Sequence, residues 1–176
     1  MRSLLSLLTV ALLCSSLTLQ ALPGPNPAAD DKDKKEPPKL EMSEDEKTIL
    51  DLTNKERAKK DLPLLKPNPI LCKVARAHSA NMAKQDKVEH VLDGKTWGDR
   101  AKEGGYRFEV CGENVGWGEW TGKKKWSAAD MMKWWMESQA HRENIVHKEF
   151  IEIGVGIAEK DGKRYFTQLF AAPFVD

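Results

Sequence analysis

The sequence predicts an α+β domain, a small antiparallel sheet covered by helices. Three observations carry that expectation. Apolar residues in the first two thirds of the domain recur at helical spacing. After Ile153 they recur at every second position, with Ile153, Val155 and Ile157 alternating with small residues. The chain then turns at Asp161-Gly162 and returns through Arg164 to Ala171, a hairpin. Helices first and one antiparallel hairpin last is the α+β order.

The N-terminus reads as a secretory signal over residues 1–21. Met1-Arg2 supplies the charge, Leu4 to Leu19 an uncharged apolar run, and Ala21 the small residue before a cleavage site. The run falls short of the roughly 20 apolar residues of a comfortable membrane-spanning helix. The expected location is either secreted or the cell envelope or periplasm, with no transmembrane segment in the mature chain. Residues 22–42 hold five prolines and alternating charges, Asp30 to Glu36 above all. Such a segment cannot bury an apolar face and reads as a disordered tether. The folded domain is expected over 43–176.

Charge excludes one class of partner. The full chain carries 28 Lys plus Arg against 27 Asp plus Glu. Cleavage removes Arg2 and no acid, leaving a formally neutral chain with no electrostatic pull toward nucleic acid. Cleavage also removes Cys14, leaving Cys72 and Cys111 in an oxidising compartment. They are expected to pair, closing a loop worth about 4 kcal/mol in the chain-entropy model. The alternative is two buried thiols.

Each element has a local reason. Ser43 with Glu46 is a capping box, and the helix it opens carries Ile49, Leu50 and Leu52 inward before fading near Lys60. Pro63, Pro67 and Pro69 make 61–69 an extended connection. A second helix from about Ile70 to Asp86 places Leu71, Val74, Ala75, His78 and Met82 at helical spacing. A short helix from Trp97 to Glu103 stops at Gly104-Gly105. Cys111 to Trp117 reads as a third strand. Ser127 caps a helix through Met131, Met132 and Trp135. Consecutive helical positions lie about 100° apart, so Trp134 and Trp135 cannot both face inward, and Trp135 is the core residue.

Two stretches set ionisable side chains among apolar and small residues: Cys111-Gly112-Glu113-Asn114-Val115 and Ser138-Gln139-Ala140-His141-Arg142-Glu143-Asn144-Ile145. With His90 they supply two imidazoles and a carboxylate from three separate segments, groups whose protonation a dry wall tunes. His90, Glu113 and His141 are the candidate catalytic set. Glu113 equally suits a structural role, accepting backbone N–H bonds. His78 is expected as a hydrogen-bonded core residue and His147 as a solvated one, with Arg142 and Asn144 tying the following loop to backbone carbonyls. Trp117, Trp120 and Trp126 flank a loop with Gly116, Gly118 and Gly122. They either seat an amphipathic or carbohydrate ligand or lid the core.

Several ordered pieces together carry a family resemblance. They are Asn54-x-x-Arg57, the Leu71 to Met82 helix, the His90 segment, Asp99-Arg100-Ala101 leading to Gly105-Tyr106, Gly112-Glu113-Asn114-Val115, His141-Arg142-x-Asn144-Ile145, Ile153-Gly154-Val155-Gly156 and Tyr165 to Phe170. In these the chain resembles the CAP superfamily of cysteine-rich secretory, antigen 5 and pathogenesis-related proteins, in the short bacterial secreted form of the SCP domain. The resemblance implies an α-β-α sandwich and a cleft of two histidines and two glutamates. In some members the histidines hold a divalent metal, often zinc. His90 and His141 match the histidines and would be the metal ligands; Glu113 matches the first glutamate. For the fourth position Ser138 is the closer positional match and Glu137 the available carboxylate, at i, i+4 to His141 if one helix carries both. The function so implied is a binding module for an extracellular protein, lipid or glycan. The alternatives are a hydrolase, metal-dependent or built on His and Glu, and a sterol or fatty-acid carrier. No conventional nucleophile motif is present, and whether the chain is an enzyme stays open at this point.

Overall fold

The structure is a computed structural model that describes residues 40–121 and 124–175. The signal segment 1–21, the tether up to residue 39, Gly122 and the side chain of Trp120 lie outside the described residues.

The chain runs through α1 (Glu44–Ala58), β1 (Lys66–Pro67), α2 (Pro69–Gln85), α3 (Trp97–Glu103), β2 (Phe108–Thr121), β3 (Lys124–Lys125), α4 (Ala128–Glu137), α5 (Gln139–Ile145), β4 (Glu152–Lys160) and β5 (Lys163–Pro173). Side-chain caps start four helices: Ser43 before α1, Asn68 before α2, Thr96 before α3 and Ser127 before α4. Each satisfies backbone N–H groups that the first turn leaves without a partner. Pro69 is the first residue of α2, where its missing N–H costs nothing.

The sheet order is β1-β4-β5-β2-β3. Strands β4, β5 and β2 are antiparallel neighbours, while the two residues of β1 join β4 in parallel. The sheet is therefore mixed, with an antiparallel centre. Alternation along β4 and β5 makes the sandwich. Ile153, Val155, Phe166 and Phe170 face the cluster built by α1, α4 and α5 around Ile49, Met131, Trp135 and Ile145. Leu169 and Ala171 face the opposite layer, with Leu71, Val74 and Ala75 of α2 and Ala101 of α3. Gly154 and Gly156 let α2 lie directly on β4: a Cβ at Gly154 would stand 2.1 Å from the Leu71 carbonyl carbon, and one at Gly156 2.2 Å from that of Ala75. The result is the α-β-α sandwich that the resemblance implied.

The expected Cys72–Cys111 disulfide is absent, and both residues are free thiols. Cys72 is buried in the first turns of α2 beside the Val155 backbone of β4, whereas Cys111 belongs to β2. Strand β5 runs between β4 and β2. Two strand spacings come to roughly 10 Å, beyond the Cα span a disulfide bridges.

Trp135 is fully buried and donates from Nε1 to the Val115 carbonyl at 3.1 Å, while Trp134 is 42% exposed. Near the β2–α4 loop, Trp126 packs against the core beside Gly118 and Trp117 is exposed. Neither lines the groove described next.

Candidate functional site

The segment between α2 and α3 carries His90 and has no regular structure beyond one isolated bridge. Asp86 ends α2 in the left-handed conformation, with φ +50°. Side chains from the two helices then hold the segment by its carbonyls. His78 Nε2 donates to Glu89 O at 3.0 Å, and Arg100 Nη1 donates to His90 O at 3.0 Å and Lys95 O at 2.8 Å. On the outer side, Asn81 and Gln85 donate to the Asp93 carboxylate. Four side chains thereby position a loop whose own backbone makes few bonds.

Glu113 lies in the middle of β2, opposite Leu169 of β5, with only 1% of its side chain exposed. A carboxylate buried to that degree needs cationic or hydrogen-bonding partners, and it has them. Arg100 Nη2 donates to Oε2 at 2.5 Å, His90 Nδ1 to Oε1 at 2.9 Å, and His78 Nε2 stands 3.8 Å from Oε1. Burial first, and the Arg100 charge with it, holds the His78 imidazole below its ordinary value, against the pull of Glu113.

Its neighbour Asn114 is fully buried and connects the layers. Its Nδ2 donates to His141 O at 3.0 Å and Gln168 Oε1 at 3.1 Å. Asn144 Nδ2 donates to Asn114 Oδ1 at 2.9 Å and Glu113 O at 3.1 Å. Arg142 donates to the Met136 carbonyl at 2.8 Å. These bonds fix the start of α5, on which His141 stands. The His141 ring packs on Trp134 with centroids 5.0 Å apart, and its buried Nδ1 has no hydrogen-bond partner among the described residues. Burial, then the nearby His90, lowers its pKa.

A groove of about 630 Å³ opens over His90 and Glu113. Trp97, Phe108 and Phe150 give it aromatic walls and Cys111 lies along it. His90 is 42% exposed there and meets Trp97 edge-on at 5.7 Å. His147 is exposed, as expected of a solvated residue, yet its ring packs on Phe150 at 4.6 Å and also borders the groove. The Cys111 thiol is pushed up to about 12, by burial first and then by the Glu113 charge, so it is no nucleophile at neutral pH.

Of the expected set, the structure brings His90 and Glu113 into direct contact. His141 meets their neighbour Asn114 through its backbone carbonyl, its ring lies close enough to His90 to be lowered by it, and it is not among the residues lining the groove. Glu137 is outside the site. Ser138 leaves helical geometry, with φ −84° and ψ 127°, so α4 and α5 are separate helices and the i, i+4 relation to His141 does not exist. Glu137 points to solvent, 65% exposed, 3.9 Å from Lys133.

Arg100 and the part His78 plays beside Glu113 escaped the sequence reading. A signal was present: a Glu within an apolar strand requires a cation, and Asp99-Arg100-Ala101 supplied one close by in sequence.

His90 has the arrangement typical of a metal-binding imidazole, with Nδ1 on a carboxylate and Nε2 turned away from it. Among the described residues, however, no three His, Cys, Asp or Glu side chains converge as a metal-binding group. The donors present amount to the two imidazoles, His90 and His141.

Comparison with known proteins agrees with this architecture. The profile of the cysteine-rich secretory protein (CAP) family matches residues 50–170. YkwD of Bacillus subtilis is 36% identical over 128 residues, 71% of this chain and 46% of that protein. An extracellular SCP-domain protein of Bacillus anthracis matches in structure at TM-score 0.64 and 30% identity, over 72% of this chain and 40% of the other. An outer surface protein of Borrelia burgdorferi, at 21% identity and TM-score 0.68 over 77% of this chain and 97% of its own, shares the fold. The chain spans less than half the length of YkwD.

Proposed function

Because the chain belongs to the CAP family of cysteine-rich secretory proteins, we propose that it is an exported binding module whose ligand seats in the groove over His90 and Glu113. One observation carries the choice of binding over hydrolysis. Both Glu113 oxygens are engaged, Oε2 by Arg100 and Oε1 by His90, behind a surface that leaves 1% of the side chain exposed. A general base must reach the proton it removes, and Glu113, with both oxygens bonded and 1% of its side chain exposed, is occupied in holding Arg100 and His90. The raised pKa of Cys111 disfavours its thiolate, the nucleophilic form. Export rests on the signal-like residues 1–21, and the similar chains are described as extracellular and outer-surface proteins.

Divalent metal is a second capacity of the same place. His90 would offer Nε2, oriented by Glu113, and His141 a second imidazole; zinc held there would act as a Lewis acid. The carrier reading has less support. The groove between α1 and α4, about 300 Å³, sets Glu56 and Lys133 among Leu52, Met132 and Met136.

The test presents the purified chain to arrays of peptides, glycans and lipids, alongside a Glu109→Arg/Glu149→Arg variant of the exposed groove rim. Binding by the wild type that the rim variant loses is the expected result. Cleavage of casein or p-nitrophenyl esters by wild type but not by Glu113→Gln would overturn it in favour of hydrolysis. Zinc calorimetry on wild type, His90→Ala and His141→Ala decides the metal: affinity unchanged in both variants removes it.

A further inference from the structure

We propose, resting on the reading of the groove over His90 and Glu113 as a ligand seat, that its ligand is a cationic peptide: an extended segment that carries lysine or arginine side chains. The charge of the groove points to the cation, and its shape points to the extended chain.

The chain as a whole is balanced, with 28 Lys plus Arg against 27 Asp plus Glu. The groove is not. Its lining among the described residues holds Glu109, Glu113 and Glu149, the imidazoles of His90 and His147, and no lysine or arginine. Arg100 offsets the buried Glu113. Glu109 and Glu149 are exposed and engaged in no ion pair among the described residues, so two negative charges stay open to a ligand. An acidic glycan or an anionic headgroup is repelled there. The aromatic walls agree in sign, because a ring face attracts a cation. Trp97 and Phe108 are half-buried, and Lys102 already stands over the Phe108 ring at 5.4 Å. Phe150 is committed to the rings of His147 and Phe170 and supplies apolar surface.

Consecutive residues of β2, from Phe108 to Glu113, line the groove. They span about 17 Å at about 3.3 Å per residue, the length of an extended ligand of about five residues. A lone ammonium group would fill a small part of it. Among the described residues this stretch of β2 is bonded to β5, and β3 joins further on, at Trp120 and Thr121. It is therefore a sheet edge, but two of its carbonyls are taken. Trp97 Nε1 donates to Cys111 O at 3.1 Å, and Asn144 Nδ2 to Glu113 O at 3.1 Å. Strand addition would compete with those side chains, so recognition falls to the side chains of the ligand. Glu109 is the extra residue of a bulge, since Phe108 and Val110 pair with adjacent residues of β5, Pro173 and Ala172. In an extended peptide, side chains two apart share a face. Two lysines so placed can lay their aliphatic stems along the apolar wall and carry their ammonium groups to the rim.

The experiment follows the Trp97 indole N–H signal of the purified, ¹⁵N-labelled chain, a reporter in the groove wall, during titration with acetyl-Gly-Lys-Ser-Lys-Gly-amide. Controls are the same peptide with both lysines Nε-acetylated or both replaced by glutamate, spermidine, and phosphatidylcholine vesicles. The expected result is a saturable shift with the lysine peptide, binding about tenfold weaker once the lysines are acetylated, and no shift with the glutamate form. Glu109→Gln/Glu149→Gln should weaken the lysine peptide by about fivefold or more. Asp51→Asn/Glu119→Gln makes the same charge change at exposed positions outside the groove, and should leave the affinity within about twofold. Equal affinity for the lysine and acetyl-lysine peptides, or no loss in Glu109→Gln/Glu149→Gln, overturns the cationic ligand and leaves a peptide-binding groove. A Trp97 shift from spermidine or the vesicles, where the lysine peptide gives none, overturns the peptide. No shift from any of them, while a glycan or lipid binds and the rim variant loses it, overturns this ligand and keeps the seat. Absence of every ligand, on the arrays as well, removes the seat itself.

Discussion

Arg100 Nη2 meets Glu113 Oε2 at 2.5 Å, tying the short helix α3 to the middle of β2 at a carboxylate that is 1% exposed. The same guanidinium holds the carbonyls of His90 and Lys95. One side chain therefore neutralises the buried acid and shapes the loop that places His90 on it. Removing one partner of a buried pair costs more than the pair is worth, because the other charge stays behind. Arg100→Met should lower unfolding free energy by about 3–5 kcal/mol in urea denaturation, and Arg100→Met/Glu113→Gln should recover part of that loss. A double variant no more stable than the single one would show that the stranded carboxylate is not the cause.

Arg57 plays the same part on the other side of the sheet, without an acid. It is fully buried, and it donates from Nε to Pro63 O, from Nη1 to Ile145 O and His147 O, and from Nη2 to Phe150 O, all within 3.0 Å. Burial lowers its pKa. Arg57→Ala leaves four carbonyls without this donor and opens a cavity, so a loss of about 3–5 kcal/mol is expected. Thermal unfolding within about 2–3 °C of wild type, a shift of well under about 1 kcal/mol, would refute it.

Gly154 and Gly156 are the contact between α2 and β4 rather than flexible joints. Gly154→Ala forces a methyl to within 2.1 Å of the Leu71 backbone. Backbone cannot rotate away as a side chain can, so a loss of about 3 kcal/mol or more is expected. Gly105→Ala is the control. Its φ is +91° with nothing within 4 Å of a Cβ, so it bears backbone strain alone, about 1–2 kcal/mol. Soluble expression and melting temperature of the two variants rank the effects.

Both thiols should be free in the native protein. Cys72 is fully buried and burial raises its pKa; Cys111 is raised to about 12. Alkylation with iodoacetamide at neutral pH should be slow when native and reach both thiols in denaturant. Reductant should leave the melting temperature unchanged. A native mass two hydrogens lighter than the reduced chain would restore the disulfide.

Stability should fall in two pH windows. His78 and His141 are lowered from 6.5, each by burial first. The unfolded chain then binds protons that the native one does not, so their contribution is present above about pH 6.5 and is lost as pH falls below it. Asp86, Asp93 and Asp99 are lowered from 3.8, mainly by side-chain hydrogen bonds. Their contribution is present above about 3.8 and is lost below it by the same sign. Melting curves between about pH 8 and pH 3 should show the first decline between about pH 6.5 and 5, reduced in His78→Gln. A midpoint constant from about pH 8 to pH 5 would contradict neutral burial of these imidazoles.

Local pattern carried most of the fold. The Ser43-Glu46 box, the α2 spacing and the Asp161-Gly162 turn are properties of short stretches, and each stands where its residues predict. The inward choice of Trp135 over Trp134 followed from helical geometry alone. Errors arose where the path of the folded backbone, rather than composition or spacing, decided the outcome. The thiols of Cys72 and Cys111 satisfied every compositional rule for pairing and are separated by β5. Glu137 and His141 are four apart in sequence, but a break at Ser138 divides their helices.

The amino acids alone thus determined which stretches coil, extend or turn, and which ionisable groups are forced among apolar neighbours, because those outcomes depend on residues within a few positions of one another. Tertiary packing decided who partners whom: that Glu113 is held by Arg100 and His90, that His78 stands behind them, and that His141 is set against Trp134 instead. Such partnerships are made across strands and layers, where distance in space is independent of distance along the chain.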